Sequence, residues 1–300
     1  MNRREFLLSA ALVARLEPSR SIHDNQSLSS EGWRIFEIKT HVHVQNASGV
    51  TRVWLPTPLV GAPYQQTLGD TYLAENGRVV MVESEELDLL FGEWIDGADP
   101  ILDLTSRLAT RAYAVDVTKP TVAPPADFAA FAKHLHPTSA RRLDAAFRAA
   151  AAKIAGGGTD LERARRIFDL VRGEKSPACD FDCGNPNEKF AALARAVGIP
   201  SRVLYGLALG AADATKAQHA RAEVYLVGFG WVPLDVASGA FGSWDGNWFA
   251  FNSAQDVPLP KAKHGTLPFF MHPQAETANG LANSLDPATF RYDISVRESG

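Results

Sequence analysis

The sequence predicts an α+β fold, with a β-rich N-terminal region followed by helices and then a second set of antiparallel strands. Three observations carry this. From Trp33 onward apolar residues recur with period two. The segment Lys119-Pro120-Thr121-Val122-Ala123-Pro124-Pro125 holds three prolines, which neither a helix interior nor a central strand accommodates. Beyond it the apolar period lengthens to that of a helix before strand-like runs return.

In the first region Phe36, Ile38, Thr40, Val42 and Val44 alternate with Glu37, Lys39, His41 and His43, the pattern of a half-buried strand. Asn46-Ala47-Ser48-Gly49 is a turn, and Thr51 to Leu55 is its partner strand, stopped by Pro56 and Pro58. Further strands are expected at 78–82, 87–91, 101–105 and 112–117. In the second region a helix is expected over 140–154, ended by three consecutive glycines. Thr159-Asp160 caps a second helix, Leu161 to Val171, with Leu161, Ala164, Ile167, Phe168 and Val171 on one face. A third runs from Asn187 to Val197, where Gly198 ends it and Pro200 forbids its return. Strands follow at 202–205, 222–227 and 231–235. The tail from Phe241, rich in aromatic residues and proline, reads as loops packed on the core.

Composition removes several classes of function. The chain has 300 residues, a net charge of −4, 46% hydrophobic and 21% charged residues. That balance is globular and lacks the basic footprint of a nucleic-acid binder. No apolar run is long enough to span a membrane. Two cysteines, Cys179 and Cys183, make neither a disulfide framework nor a four-thiolate zinc site. At the start, Arg3-Arg4 followed by Phe6-Leu7-Leu8 and Ala10-Ala11-Leu12-Val13-Ala14 has the form of a twin-arginine export signal, with a flexible polar segment to about residue 30. The plainer reading is an amphipathic helix of a cytosolic protein.

Chemistry concentrates around three residues. Cys183 sits just ahead of the third helix, where backbone N–H groups and the helix dipole favour a thiolate. Position alone does not separate a nucleophile from a small buried hydrophobe. His219 opens one strand and Asp235 closes the next, with Gly228-Phe229-Gly230 forming a tight link. An antiparallel pair joined so closely brings the start of the first strand beside the end of the second. An aspartate there would accept the imidazole N–H and fix its tautomer; a hairpin with a polar mouth would place the same residues without catalysis.

Cys183, then Phe190 to Arg202 with its Gly198-Ile199-Pro200, then His219-Ala220-Arg221-Ala222-Glu223-Val224-Tyr225, then Gly230-Trp231-Val232-Pro233-Leu234-Asp235, together resemble the transglutaminase-like superfamily. Over about Trp33 to the C-terminus the chain is similar to a bacterial secreted branch of it, through Val53-Trp54-Leu55-Pro56-Thr57-Pro58, Lys216-Ala217-Gln218-His219, Phe241-Gly242-Ser243-Trp244, Asn247-Trp248 and Met271-His272-Pro273-Gln274-Ala275-Glu276. The resemblance implies a papain-like core in which a cysteine-bearing helix packs on an antiparallel sheet, with Cys183 as nucleophile, His219 as base and Asp235 as its orienter. It divides the chain into an export signal and flexible segment (1–30), a β-rich domain (31–120), a transglutaminase-like core (126–255) and a C-terminal extension packed on that core (256–300). The implied activity is cysteine-dependent acyl transfer on peptide or carboxamide substrates, through a thioester, with a protein or peptide as the partner. Water as acceptor gives a peptidase or amidase and an amine gives a transglutaminase, with no cofactor. The location implied is periplasmic or secreted.

Three departures from the superfamily pattern stand out. Arg221 occupies a position two residues after the histidine that is often tryptophan, Phe181 replaces a common glycine, and the stretch between Val171 and Cys183 is short. They motivate the alternative of a binding or scaffold protein that keeps the fold without turnover. Other residues carry two readings each. Cys179 and Cys183 could pair as a local disulfide, or Cys183 and His219 could ligate zinc with either Cys179 or Asp235. His41 and His43 are a polar strand face or a metal pair, and His134 and His136 read as loop. Gln218 and Glu223 are candidate supports of the triad, Glu223 alternatively half of an ion pair. Trp244 and Trp248, with Phe249 and Phe251, either wall an acyl-substrate groove or pack the core.

Overall fold

The computed structural model describes residues 17–19, 32–59, 61–125, 127–139, 143–173, 185–282 and 286–299. Cys179 and Cys183, Phe181 and the Arg3-Arg4 segment lie outside the described residues.

Two five-stranded sheets face each other in the β-rich part. One runs in the order Glu17–Ser19, Gln65–Ala74, Ile101–Thr110, Arg34–Val44, Phe290–Ser299. The other runs Gly280–Leu281, Gln274–Thr277, Thr51–Pro56, Leu89–Trp94, Arg78–Val82. Between them lie Val42, Val44, Val53, Leu55, Leu90, Trp94, Leu102, Leu104 and Phe290, all buried. The alternation expected for the first strand is present, since Phe36, Ile38, Thr40, Val42 and Val44 are buried while the intervening side chains are not. His41 and His43 on the other face meet Asp103 and Asp99 at 2.7 Å each.

Two expectations change. The tail from Phe241 is not all loop. Phe290–Ser299 adds to Arg34–Val44 through a ladder running from Phe290↔Val44 to Ser299↔Ile35, and Gln274–Thr277 adds to Thr51–Pro56. Phe290, Ile294 and Val296 alternate with exposed residues, so this tail is a half-buried strand completing the sheet edge rather than a loop. The expected strand at 112–117 shrinks to Tyr113–Ala114, which pairs with Ser243–Trp244.

The remaining five-stranded sheet runs Ala240–Phe241, Gly230–Asp235, Gln218–Leu226, Ser201–Ala208, Trp248–Asn252, antiparallel throughout. Three helices, α1 (Ala145–Ala155), α2 (Asp160–Gly173) and α3 (Pro186–Ala196), cover one face. Phe147, Ile167, Phe168, Phe190 and Leu193 from the helices meet Ala222, Val224, Val232 and Leu234 from the sheet. Burying side chains of this size stabilises by about 1.5–3 kcal/mol each. The α2 start is a capping box, with Thr159 N donating to Glu162 Oε2 at 2.8 Å and Glu162 N to Thr159 Oγ1 at 3.3 Å. Ahead of α1, Phe128–Leu135 forms a 3₁₀ helix that buries His134 edge-on against Trp231, so His134 is not on an open loop.

The opposite sheet face is closed by the β-rich part. Gln65, fully buried, accepts from Ala250 N at 2.7 Å and donates to Ala250 O at 2.9 Å, so its amide completes the hydrogen bonding of an edge strand. Tyr64, Trp244, Trp248 and Leu204 pack beside it. The candidate site lies on this sheet, with α3 at its end.

Candidate active site

The local sequence of α3 explains its placement. Asn185 caps it by accepting from Asn187 N at 2.9 Å, and Pro186 fills the first helical position, where no N–H is needed. At the far end Gly198, at φ 82°, and Ile199 N donating to Ala194 O close the helix. Residues from Asn187 to Ala196 are buried apart from Glu188, so the helix is locked into the core. Cys183 precedes the cap residue by two positions in the chain.

His219 and Asp235 are brought together by the hairpin between Gln218–Leu226 and Gly230–Asp235. Gly228 and Gly230 take φ of 89° and 75°, which glycine adopts without a Cβ clash. Registered pairing ends at Ala222↔Leu234, so His219 reaches Asp235 diagonally, from beyond the last pair. His219 Nε2 lies 2.9 Å from Asp235 Oδ2, with the histidine side chain 31% exposed and the aspartate side chain 3%. Among the described residues no hydrogen bond engages His219 Nδ1. With Asp235 ionised, the Nε2 proton is held by the carboxylate and Nδ1 keeps the lone pair.

Asp235 is fixed from three further directions. Its Oδ1 accepts from Asn187 Nδ2 at 3.0 Å and Ala237 N at 3.1 Å, and Arg221 Nε lies 3.9 Å from Oδ2. Burial alone would raise the carboxyl's pKa; hydrogen bonds from His219 and Asn187 and the attraction of His219 hold it well below the usual carboxylate range. The group is therefore an anion at any pH where the protein is folded near neutrality.

Asn187 is a residue of the candidate site that the sequence does not single out. Fully buried, it donates to Ala220 O at 2.8 Å as well as to Asp235, while its Oδ1 accepts from Val236 N at 2.9 Å. One side chain thus ties the first turn of α3 to the ends of both strands. The available signal was an asparagine opening a helix that otherwise reads Phe190-Ala191-Ala192-Leu193-Ala194, a polar group with no reason to enter a core unless it is satisfied there.

Other expected residues divide. Trp244 and Trp248 are buried, at 5% and 3% exposed, packed on each other and on Tyr64 rather than open to a groove. Trp248 Nε1 donates to the His219 carbonyl at 2.9 Å, so it supports the histidine strand. Phe249 and Phe251 are likewise core. Gly206, opposite His219, leaves the room Trp248 uses: a Cβ there would lie 2.5 Å from the Trp248 ring and 1.9 Å from Phe249 O. Glu223 is buried and paired with Arg202 at 2.7 Å, two strand positions beyond Arg221. Gln218 lies on the other face, next to Tyr292, and does not touch the pair. Among the described residues no group of three or more His, Cys, Asp or Glu is arranged to hold a metal ion, and no helix is long and apolar enough to cross a membrane.

The chain is similar to several known proteins. Residues 181–236 match the family model of the transglutaminase-like superfamily core, a segment that runs from just before Cys183 to just after Asp235. An uncharacterised protein of Haemophilus influenzae is 36% identical over 154 residues, covering 37% of this chain and 42% of that protein, so this chain spans less than half of the relative's length. The crystal structure of "a Putative Cysteine Protease from Cytophaga hutchinsonii" aligns over 89% of this chain and 91% of that one, with a TM-score of 0.58 and 14% identity, a likeness of fold. The periplasmic domain of TgpA from Pseudomonas aeruginosa aligns over 65% of this chain at 15% identity, with a TM-score of 0.34. The fold is of the papain-like α+β type, and residues 181–236 are similar to the transglutaminase-like superfamily core.

Proposed function

We propose that the protein is a cysteine-dependent acyl-transfer enzyme acting on peptide or carboxamide substrates through a thioester on Cys183. The observation that carries the proposal is the His219–Asp235 pair at 2.9 Å, anchored by Asn187 in the first turn of the helix that Cys183 precedes. Asp235 holds the Nε2 proton, so Nδ1 is the nitrogen free to take a proton from a thiol. In the proposed cycle Cys183 loses its proton to Nδ1, and the thiolate forms a C–S bond to the substrate carbonyl. Backbone N–H groups ahead of α3 stabilise the oxyanion. The C–N bond then breaks as the imidazolium returns its proton to the leaving amine. Water or a second amine, deprotonated by Nδ1, attacks the thioester; the C–S bond breaks and the proton goes back to sulfur. Water yields hydrolysis and an amine yields transamidation.

The test is mass spectrometry of the protein incubated with glutamine-containing and C-terminally amidated peptides, with and without a primary amine, beside Cys183→Ala. Expected is a free acid or amine adduct in the wild type alone, with transient acylation of the Cys183 peptide. No product and no acylation across such a panel would refute turnover and leave the scaffold reading, in which Cys183→Ala changes nothing. The Arg3-Arg4 segment supports a further proposal, export to the periplasm; Arg3→Lys/Arg4→Lys should then retain the protein in the cytosolic fraction.

A further inference from the structure

A charged group beside the His219–Asp235 pair has no part in the proposed cycle. Arg221 follows His219 by two residues, so strand alternation keeps both on one sheet face. It is 9% exposed, and its guanidinium lies 5.1 Å from the centre of the Trp248 ring and 5.7 Å from that of Trp244. Its Nη2 donates to Asp245 Oδ1 at 3.0 Å. Its Nε, buried and without a hydrogen bond among the described residues, sits 3.9 Å from Asp235 Oδ2, the oxygen that holds His219. Two cationic groups thus converge on one carboxylate oxygen, one permanently charged and one titratable. The rings fix Arg221 from its faces and Asp245 fixes its edge, which keeps it near Asp235 without replacing His219 there.

We propose that Arg221 and Asp245 are positioning residues of the dyad, a charge pair that sets how readily His219 takes a proton: Arg221 opposes the imidazolium and Asp245 offsets Arg221.

The other charges nearby are engaged mainly with partners of their own. On the same face Glu223 is taken up by Arg202, at 2.7 and 2.6 Å. Beyond Asp245, Arg34 is held by Glu298 at 2.7 Å and also bonds Asn247, and it lies close enough to Asp245 to attract it more weakly. From α3, Glu188 accepts from Tyr205 at 3.1 Å on the other face, and from α2 Arg172 reaches the Gly239 turn that follows Asp235. Asp245, with its side chain 60% exposed, is the member of the charge pair more open to solvent, so salt screens its share of the field more than that of Arg221.

The inference deepens the acyl-transfer reading, but its test needs neither turnover nor Cys183. Protein labelled with carbon-13 at the histidine ring is titrated by NMR, with His219→Gln to assign the resonance. Arg221→Met, which keeps length and ring contact but removes charge, should raise the His219 midpoint by about 0.5–1 pH unit. Asp245→Asn should lower it by roughly 0.3–0.5 unit, because Arg221 is then unopposed. Opposite shifts of this kind support the proposal. Shifts in the same direction, as a loosened pocket would give, or no shift in either variant, overturn it. If Arg221→Met fails to fold, the surface variant Asp245→Asn decides alone, with an unchanged or raised midpoint refuting the idea. Failure of the cysteine to react in the same samples would count against the acyl-transfer reading and leave the titration result standing.

Discussion

Replacing Asn187 by alanine should damage both the stability and the chemistry of the site, and the structure sets the size of the effect. The variant removes the donors to Ala220 O at 2.8 Å and Asp235 Oδ1 at 3.0 Å and the acceptor for Val236 N at 2.9 Å, all inside the protein. A buried polar group left without its partner costs about 1–3 kcal/mol, and Asp235 keeps its contacts to His219 and Ala237, so the expected loss is roughly 2–4 kcal/mol. With an unfolding entropy of about 2.1 cal/mol/K per residue over 300 residues, this lowers the thermal midpoint by roughly 3–6 °C. The assay is a melting curve beside a measurement of Cys183 alkylation at pH 6. Alkylation should slow as well, because Asp235 loses the bond that fixes its other oxygen and His219 loses its orientation. Asn187→Asp tests the same point with the shape kept: it places a second carboxylate 3 Å from Asp235 and should be at least as disruptive as alanine. A melting midpoint within 1 °C of wild type for Asn187→Ala, with alkylation unchanged, would refute the argument that this side chain ties the helix to the strands.

Two other expectations concern the frame around the site. His134, buried against Trp231 with its pKa pushed down to about 4 by burial and by the charges of Arg202, Lys133 and Arg195, is neutral in the folded protein at pH values where the unfolded chain binds a proton. Its contribution to stability is therefore complete above about pH 6.5 and is lost as the pH falls toward 4, by up to roughly 3 kcal/mol. His134→Gln should flatten that part of the stability curve in urea titrations at successive pH values, and an identical slope in both proteins would refute it. Gly206→Ala, whose new methyl group would lie 1.9 Å from Phe249 O, must shift the Trp248–Asn252 edge strand. It should lower the melting midpoint by several degrees and alter tryptophan fluorescence, whereas a protein unchanged in both would show that the space opposite His219 is not tight.

What the sequence revealed follows from which signals are local. The capping box at Thr159 and Glu162 lies within one helical turn, as do the Asn185-Pro186 start and Gly198 end of α3, so their helices could be read from neighbouring residues. The meeting of His219 and Asp235 was legible because a glycine hairpin joins their strands over Val227 to Phe229, which leaves the register little freedom. Gln65–Ala74 escaped because Gln-Gln-Thr-Leu-Gly-Asp carries little apolar alternation; its Gln65 is buried only because the edge strand at Ala250 needs an amide partner. The ladder between Arg34–Val44 and Phe290–Ser299 joins the two ends of the chain, and nothing in either segment names the other as partner. Asn187 was hidden for the same reason: its helix position is local, but the atoms it satisfies lie 33, 48 and 49 residues away.

The pH dependence of Cys183 alkylation by iodoacetamide, followed by peptide mass spectrometry in the wild type, His219→Ala and Asp235→Ala, tests the coupling of sulfur, imidazole and carboxylate most directly. Wild-type Cys183 is expected to react well below pH 7, and both variants to move its profile toward that of an ordinary thiol, near 8.5. A wild-type profile centred near 8.5, unmoved by either substitution, would contradict that coupling.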